Sequence, residues 1–137
     1  MWWVYALLSA VFAAFTAILA KVGIKGINSD LATAIRTVFI LLIAWGIVFS
    51  RKELSGINAL SRNNWFFLGL SGIATGLSWI FYFKALQLGK VSQVAPIDKL
   101  SVAIALILSV LLLHETLTFK IILGTSLIIV GSIIIIL

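Results

Sequence analysis

Apolar residues fall into five blocks along this chain, at residues 3–23, 31–50, 65–86, 94–113 and 119–137, each close to the length that crosses a bilayer. None of them alternates polar and apolar positions with a period of two, so membrane β-strands are excluded and helices are predicted. Polar residues gather between the blocks in short connections at 25–30, 51–64, 87–93 and 114–118. Ser29 or Asp30 is placed to cap the second helix and Thr118 the fifth. Trp2, Trp3 and Trp65 stand at block ends, the level of the interfacial aromatic belt. No connection could hold a soluble domain. The expected architecture is a single all-α integral membrane domain over residues 1–137.

Two of the blocks are too short when counted by charge. Residues 100–113 and 37–50 are uncharged runs of 14 residues each. At 1.5 Å per residue, 14 residues reach about 21 Å, against roughly 30 Å of hydrocarbon. To span, the fourth helix must extend back through Pro96, Asp98 and Lys99, and the second must draw Arg36 inward. Ionisable groups at such depth are costly; they pair with one another or line a pathway. An ion pair of Asp98 with Arg36 or with Lys99 is expected. Adjacent residues on a helix do not face each other, so Asp98 and Lys99 are expected to find partners on other helices. Pro96 lacks a backbone donor, and it either starts the fourth helix or leaves it locally unwound.

Composition agrees with the block pattern. The chain is 63% hydrophobic and 10% charged, with one Pro and no Cys, and its mean hydropathy is +1.25. No disulfide or thiolate metal site is available, and no bound cofactor is expected. The net charge of +6 is spread along the chain and never forms a basic run, so nucleic acid is not an expected partner. The lipid bilayer is. Residues 1–20 lack a basic leader and a cleavage site, and read as a first span, not a signal peptide. With five spans the termini lie on opposite sides. Arg51, Lys52, Arg62 and Lys120 then share one side and Lys21, Lys25, Lys84 and Lys90 the other. Orientation normally follows an excess of Lys and Arg on one side, and here the two sides balance at four each unless Arg36 and Lys99 are counted with the second. Either the first helix or a partner sets the topology, or the chain inserts both ways and pairs antiparallel.

Candidate chemistry lies on helix faces. In the third block Ser71, Thr75, Ser78 and Tyr82 step by four, three and four, forming one polar stripe, with Gly72, Gly76 and Trp79 beside it. In the fourth, Asp98, Ser101, Ala105 and Ser109 repeat the pattern, and Ser9, Ala13, Thr16 and Ala20 do so more weakly in the first. Hydroxyls in membrane helices commonly bond their own backbone or a neighbouring helix, and their alignment into stripes is what suggests a hydrated path. Lys21 and Lys84 read as interfacial anchors whose long stems reach the boundary. In the fifth block Gly124 and Gly131, seven apart, share a face with Leu127 and Ile128. That face suits close helix approach, either within one subunit or at a dimer seam. His114 and Glu115 read as solvated connection residues. No metal-ligand spacing, paired-carboxylate site, nucleophile triad or phosphate-binding loop is present, so the chain is not expected to be an enzyme.

Residues 79–92 (Trp-Ile-Phe-Tyr-Phe-Lys-Ala-Leu-Gln-Leu-Gly-Lys-Val-Ser), Ala95-Pro-Ile-Asp-Lys-Leu-Ser-Val, His114-Glu-Thr-Leu-Thr and residues 124–137 together resemble an EamA-type domain, the repeat unit of the drug/metabolite transporter superfamily. Leu31-Ala-Thr-Ala-Ile-Arg-Thr with Pro96-Ile-Asp-Lys-Leu-Ser is similar to its short, five-helix bacterial and archaeal branch. The resemblance implies half of an inverted-repeat, ten-helix transporter, with a central cavity lined by helices one, three and four of each unit. It also implies a multi-pass protein of the cell membrane and no cofactor. The Gly124/Gly131 spacing is similar to the last-helix dimer motif of the small multidrug resistance proteins. Many EamA domains carry Glu-Pro where this chain has Asp98-Lys99. The membrane-embedded glutamate that multidrug-resistance relatives carry in their first helix is absent here.

The expected function is therefore a transporter subunit that moves a small polar metabolite, amino acid or organic ion by alternating access as an antiparallel homodimer. The expected path residues are Ser71, Thr75, Ser78, Trp79, Tyr82, Asp98, Ser101 and Ser109. Arg36, Asp98 and Lys99 form the expected charge network, and Gly124 and Gly131 the seam. An accessory subunit that pairs with another half-transporter, or with a lipid flippase, is the alternative.

Overall fold

A computed structural model describes all of residues 1–137, and every regular element in it is helical. The α-helices are α1 (Trp2–Gly23), α2 (Ser29–Ser50), α3 (Arg62–Leu88), α4 (Val91–Asp98), α5 (Ser101–Leu113) and α6 (Phe119–Ile136). A short 3-10 helix, Glu53–Ala59, lies between α2 and α3. Five spans are long and apolar enough to cross a membrane, because α4 and α5 together form the fourth, Val91–Leu113. The blocks read from the sequence match these spans, with ends moved by up to three residues. Helices run past the apolar boundary where a polar residue satisfies the first turn, as in α3, where Ser61 Oγ accepts from the Asn64 N–H at 3.2 Å.

Local chemistry sets the ends. Asn28, in extended conformation, caps α2: its side-chain oxygen accepts from the N–H of Asp30 at 2.7 Å and of Leu31 at 3.3 Å. The cap is thus one residue earlier than the Ser29 or Asp30 expected from the sequence, and Ser29 becomes the first helical residue. Thr118 caps α6 as expected, accepting from Ile121 N–H. Gly26 turns the chain between α1 and α2 at φ +76°, a conformation that glycine adopts without strain. Lys52 and His114 take the left-handed conformation just past α2 and α5 and end them there.

The molecule comprises two compact units. One contains residues 1–18 and 88–137, and in it α4 and α5 each pack on α6. The other contains residues 19–87, with α2 and α3 as its long helices. In the second unit Ala20, Ile24, Ala32, Phe83 and Leu86 are buried, with Ser29 and Thr33. This core is small because lipid is as apolar as leucine, and burying side chains against one another brings no hydrophobic gain there. Polar ties supplement it. Gln87 Nε2 donates to the Ile27 carbonyl at 2.7 Å, and Lys21 Nζ donates to the Leu86 carbonyl. Lys21 satisfies a carbonyl at the C-terminal end of α3, where exposed carbonyls attract donors and cations, and Gln87 ties that end to the connection between α1 and α2.

Leu86 is 0% exposed, whereas Leu88, two residues on, is 83% exposed. Leu86→Ala is expected to cost about 2–4 kcal/mol and Leu88→Ala less than about 0.5 kcal/mol, read as detergent melting temperature. Equal shifts for the two variants would contradict this packing.

Candidate functional site

In α3, Ser71, Thr75 and Ser78 are exposed along one face, and Trp79 and Tyr82 are half-buried at its end. The Thr75 hydroxyl donates to the Ser71 carbonyl at 2.9 Å, one turn back. Such back-bonding satisfies the hydroxyl proton inside its own helix and leaves the oxygen's lone pairs outward. Gly72, Gly76, Trp79 and Phe83 occupy the adjacent face of α3 by helical spacing. A Cβ placed on Gly72 or Gly76 would meet nothing within 4 Å. The small-residue groove read from the sequence is open.

Arg36 comes from the third turn of α2 and lies against that glycine-bearing face. Its guanidinium carbon is 4.0 Å from the Phe83 ring centroid and 5.8 Å from that of Trp79, a double cation–π contact. Nη1 is buried and has no hydrogen-bond partner. A buried donor left unsatisfied costs about 1–3 kcal/mol, so a fold that keeps one needs another reason to do so. The sequence supplied Arg36 and Trp79 as separate features. Phe83 was missed because a phenylalanine in an apolar run carries no signal until a cation is found over its ring.

Asp98 ends α4 half-exposed, and its carboxylate lies 3.5 Å from Lys99 Nζ. Neighbours in sequence do not face each other in a continuous helix, but here the helix is broken. The N–H groups of Lys99, Leu100, Val102 and Ala103 bond three residues back, at 3.1, 2.9, 3.0 and 3.0 Å, tightening the chain between α4 and α5. The expectation that Asp98 and Lys99 need partners on other helices therefore fails at this junction. Pro96 neither starts the helix nor unwinds it: α4 begins five residues earlier, at Val91. The Pro96 carbonyl instead accepts from Ser132 Oγ of α6 at 2.9 Å, and Ser132 is one of the few buried polar residues. Sequence reading had assigned no role to Ser132. Ser101 opens α5 exposed, and half-buried Ser109 donates to the Leu106 carbonyl at 3.0 Å.

Between α4 and α6 runs an open groove of about 470 Å³, lined by Ala95, Pro96, Lys99, Leu127, Ile128, Gly131, Ser132 and Ile135. It contains much of the α6 face on which Gly124 and Gly131 were paired. A Cβ on either glycine would meet nothing within 4 Å, so neither is required for packing within the chain. Within its unit the face is walled by α4 on one side and open on the other.

The profile of the EamA-like transporter family matches residues 1–137. The chain belongs to that family. A protein of Sinorhizobium sp. described as an uncharacterized transporter in cobO 3'region is similar to it, 48% identical over 131 residues, covering 96% of this chain and 93% of the relative. No solved structure matches it. As an EamA-like chain with five membrane-crossing helices it is a multi-pass membrane protein, and its partner throughout is the bilayer.

Ser132→Ala removes the only side-chain bond seen from α6 to α4. It is expected to cost about 1 kcal/mol, a few degrees of melting temperature in detergent. Ser126→Ala, whose hydroxyl bonds the Ile122 carbonyl of its own helix, should melt within about 0.5 kcal/mol of the parent.

Proposed function

We propose that this EamA-like chain is a transporter subunit, not an enzyme, that moves a small polar metabolite, amino acid or organic ion. It works by alternating access as an antiparallel homodimer in a bacterial or archaeal cell membrane. One observation carries the reading: the chain leaves its small and polar faces uncovered. Gly72, Gly76, Gly124 and Gly131 have open space where a Cβ would go, and Ser71, Thr75 and Ser78 are exposed. Facing hydrocarbon, hydroxyls and bare backbone gain nothing. Facing a second copy or a hydrated path, they gain close packing or solvation. The family relationship and the transporter-named relative support the same class.

In this reading Ser71, Thr75, Ser78, Trp79, Tyr82, Asp98, Ser101 and Ser109 line the path, and residues 1–137 act as one domain. Arg36, Asp98 and Lys99 are the charges that bias it. Gly124 and Gly131 form the seam against the partner. Two such units in opposite orientation would place equivalent helices on either side of a midplane site, the arrangement of inverted-repeat transporters. The broken fourth span, with its i-to-i−3 bonds at residues 99–103, supplies irregular backbone where a path would need it.

The orientation of the C-terminus in the native membrane tests the dimer. Reporters active on only one side should reveal both orientations in comparable amounts, as an antiparallel homodimer requires. A single orientation would exclude self-pairing and call for a partner chain of opposite topology. Asp98 is tested separately. In proteoliposomes Asp98→Asn should slow solute uptake at least about tenfold while shifting the melting temperature by less than about 2 °C. Parallel loss of uptake and stability would make Asp98 a structural residue.

A further inference from the structure

We propose that Arg36 anchors an oxyanion-binding site on α2 and α3, which takes the carboxylate or phosphate group of a ligand through its guanidinium edge. The proposal deepens the transport reading by naming an acidic or zwitterionic solute class, and it rests on that reading only for the solute.

The chain's own acidic groups do not serve Arg36. The acidic side chains of its unit, residues 19–87, are Asp30 and Glu53, and Arg36 forms no ion pair with either. Asp98 is bonded to Lys99. Asp30 shares α2 but stands six residues earlier, about 9 Å along the axis and some 240° around it. Arginine keeps its charge under all ordinary conditions, so the group cannot relieve its burial by losing a proton.

Phe83 and Trp79 hold the cation but leave its hydrogen-bonding capacity unused. A ring face attracts the guanidinium as a whole and satisfies none of its in-plane N–H directions. Nη1 is the result: buried, and without an acceptor. An aromatic brace on a planar fork fixes the fork's position in advance, which is the condition for two-point recognition of a carboxylate or phosphate. Gly72 and Gly76 share the α3 face that carries Trp79 and Phe83, and space is open where their side chains would be. A ligand group beside Arg36 therefore meets a bare helix surface on that face. In a low-dielectric setting an anion there offsets a charge that no carboxylate of the same unit neutralises.

The test uses the full chain with Trp2, Trp3, Trp45 and Trp65 changed to Phe, leaving Trp79 as the only tryptophan and exciting it selectively over tyrosine, after confirming that it melts like the parent. Succinate and inorganic phosphate are titrated in maltoside detergent against chloride at matched ionic strength. A saturable change in Trp79 emission with succinate or phosphate is expected, absent with chloride. It should weaken at least about tenfold in Arg36→Lys, which keeps the charge and loses the fork, and vanish in Arg36→Gln. If Arg36→Gln does not fold, Arg36→Lys decides alone. A second arm compares nanodiscs of phosphatidylcholine with and without phosphatidylglycerol. An Arg36-dependent change on adding the anionic lipid alone supports the site and assigns its oxyanion to the headgroup. No saturable response to either anion or to the lipid, or a response unchanged in Arg36→Lys, overturns the proposal. No gradient enters the measurement. Binding without uptake would sink the transport reading and keep the site, and uptake without binding would do the reverse.

Discussion

Hydrocarbon about 30 Å thick offers no hydrogen bonds, so every backbone N–H and carbonyl that crosses it must be satisfied inside its own helix or by a neighbour. Much else in this molecule follows from that constraint. It makes the chain helical throughout, keeps the connections short, and removes the need for a large core. It also fixes where charge goes. A fourth span that must reach both surfaces has only 14 uncharged residues to do it with, so the helix is extended backward through Asp98 to Val91. The ionisable residues near residue 98 are there because the membrane is thicker than the apolar run is long.

The same constraint explains which polar contacts were made. Where a helix end or a connection would leave a carbonyl unpaired, a side chain arrives: Lys21 on Leu86 at the end of α3, Gln87 on Ile27 between α1 and α2. Where the fourth span departs from regular geometry, the backbone switches to bonds three residues back, and Pro96's carbonyl receives Ser132. Arg36 stands apart from this pattern. It is braced by two rings and has a buried donor with no acceptor, in a chain that otherwise satisfies such groups locally.

Much of the fold was legible in the sequence because it depends on composition over long windows. Five apolar blocks gave five spans, and Thr118 capped α6 as its type and position implied. What was not legible depends on geometry at a single turn. Asn28 outcompeted Ser29 and Asp30 as a cap because its amide oxygen reaches the N–H groups of Asp30 and Leu31 directly. An Asp98–Lys99 pair was one of two expected, while a rule for continuous helices sent both residues to partners on other helices; the break at residues 99–100 removes that rule's premise. Phe83 and Ser132 had no sequence signal, since a phenylalanine and a serine in apolar runs look like the others of their type in this chain. Their importance comes from what lies opposite them: a guanidinium, and the carbonyl of a proline.

The stripe on α3 has a consequence for how such proteins diversify. The Thr75 hydroxyl is bonded within its own helix, and the glycines beside it support no neighbouring side chain. Replacing any of these residues disturbs no contact that the fold depends on. In the transport reading, where this face lines the path, mutations that reshape it are nearly neutral for folding, and a lineage can drift through many chemical preferences without first acquiring compensating changes. A membrane scaffold built this way separates what it is from what it selects, and one fold can then serve many unrelated solutes.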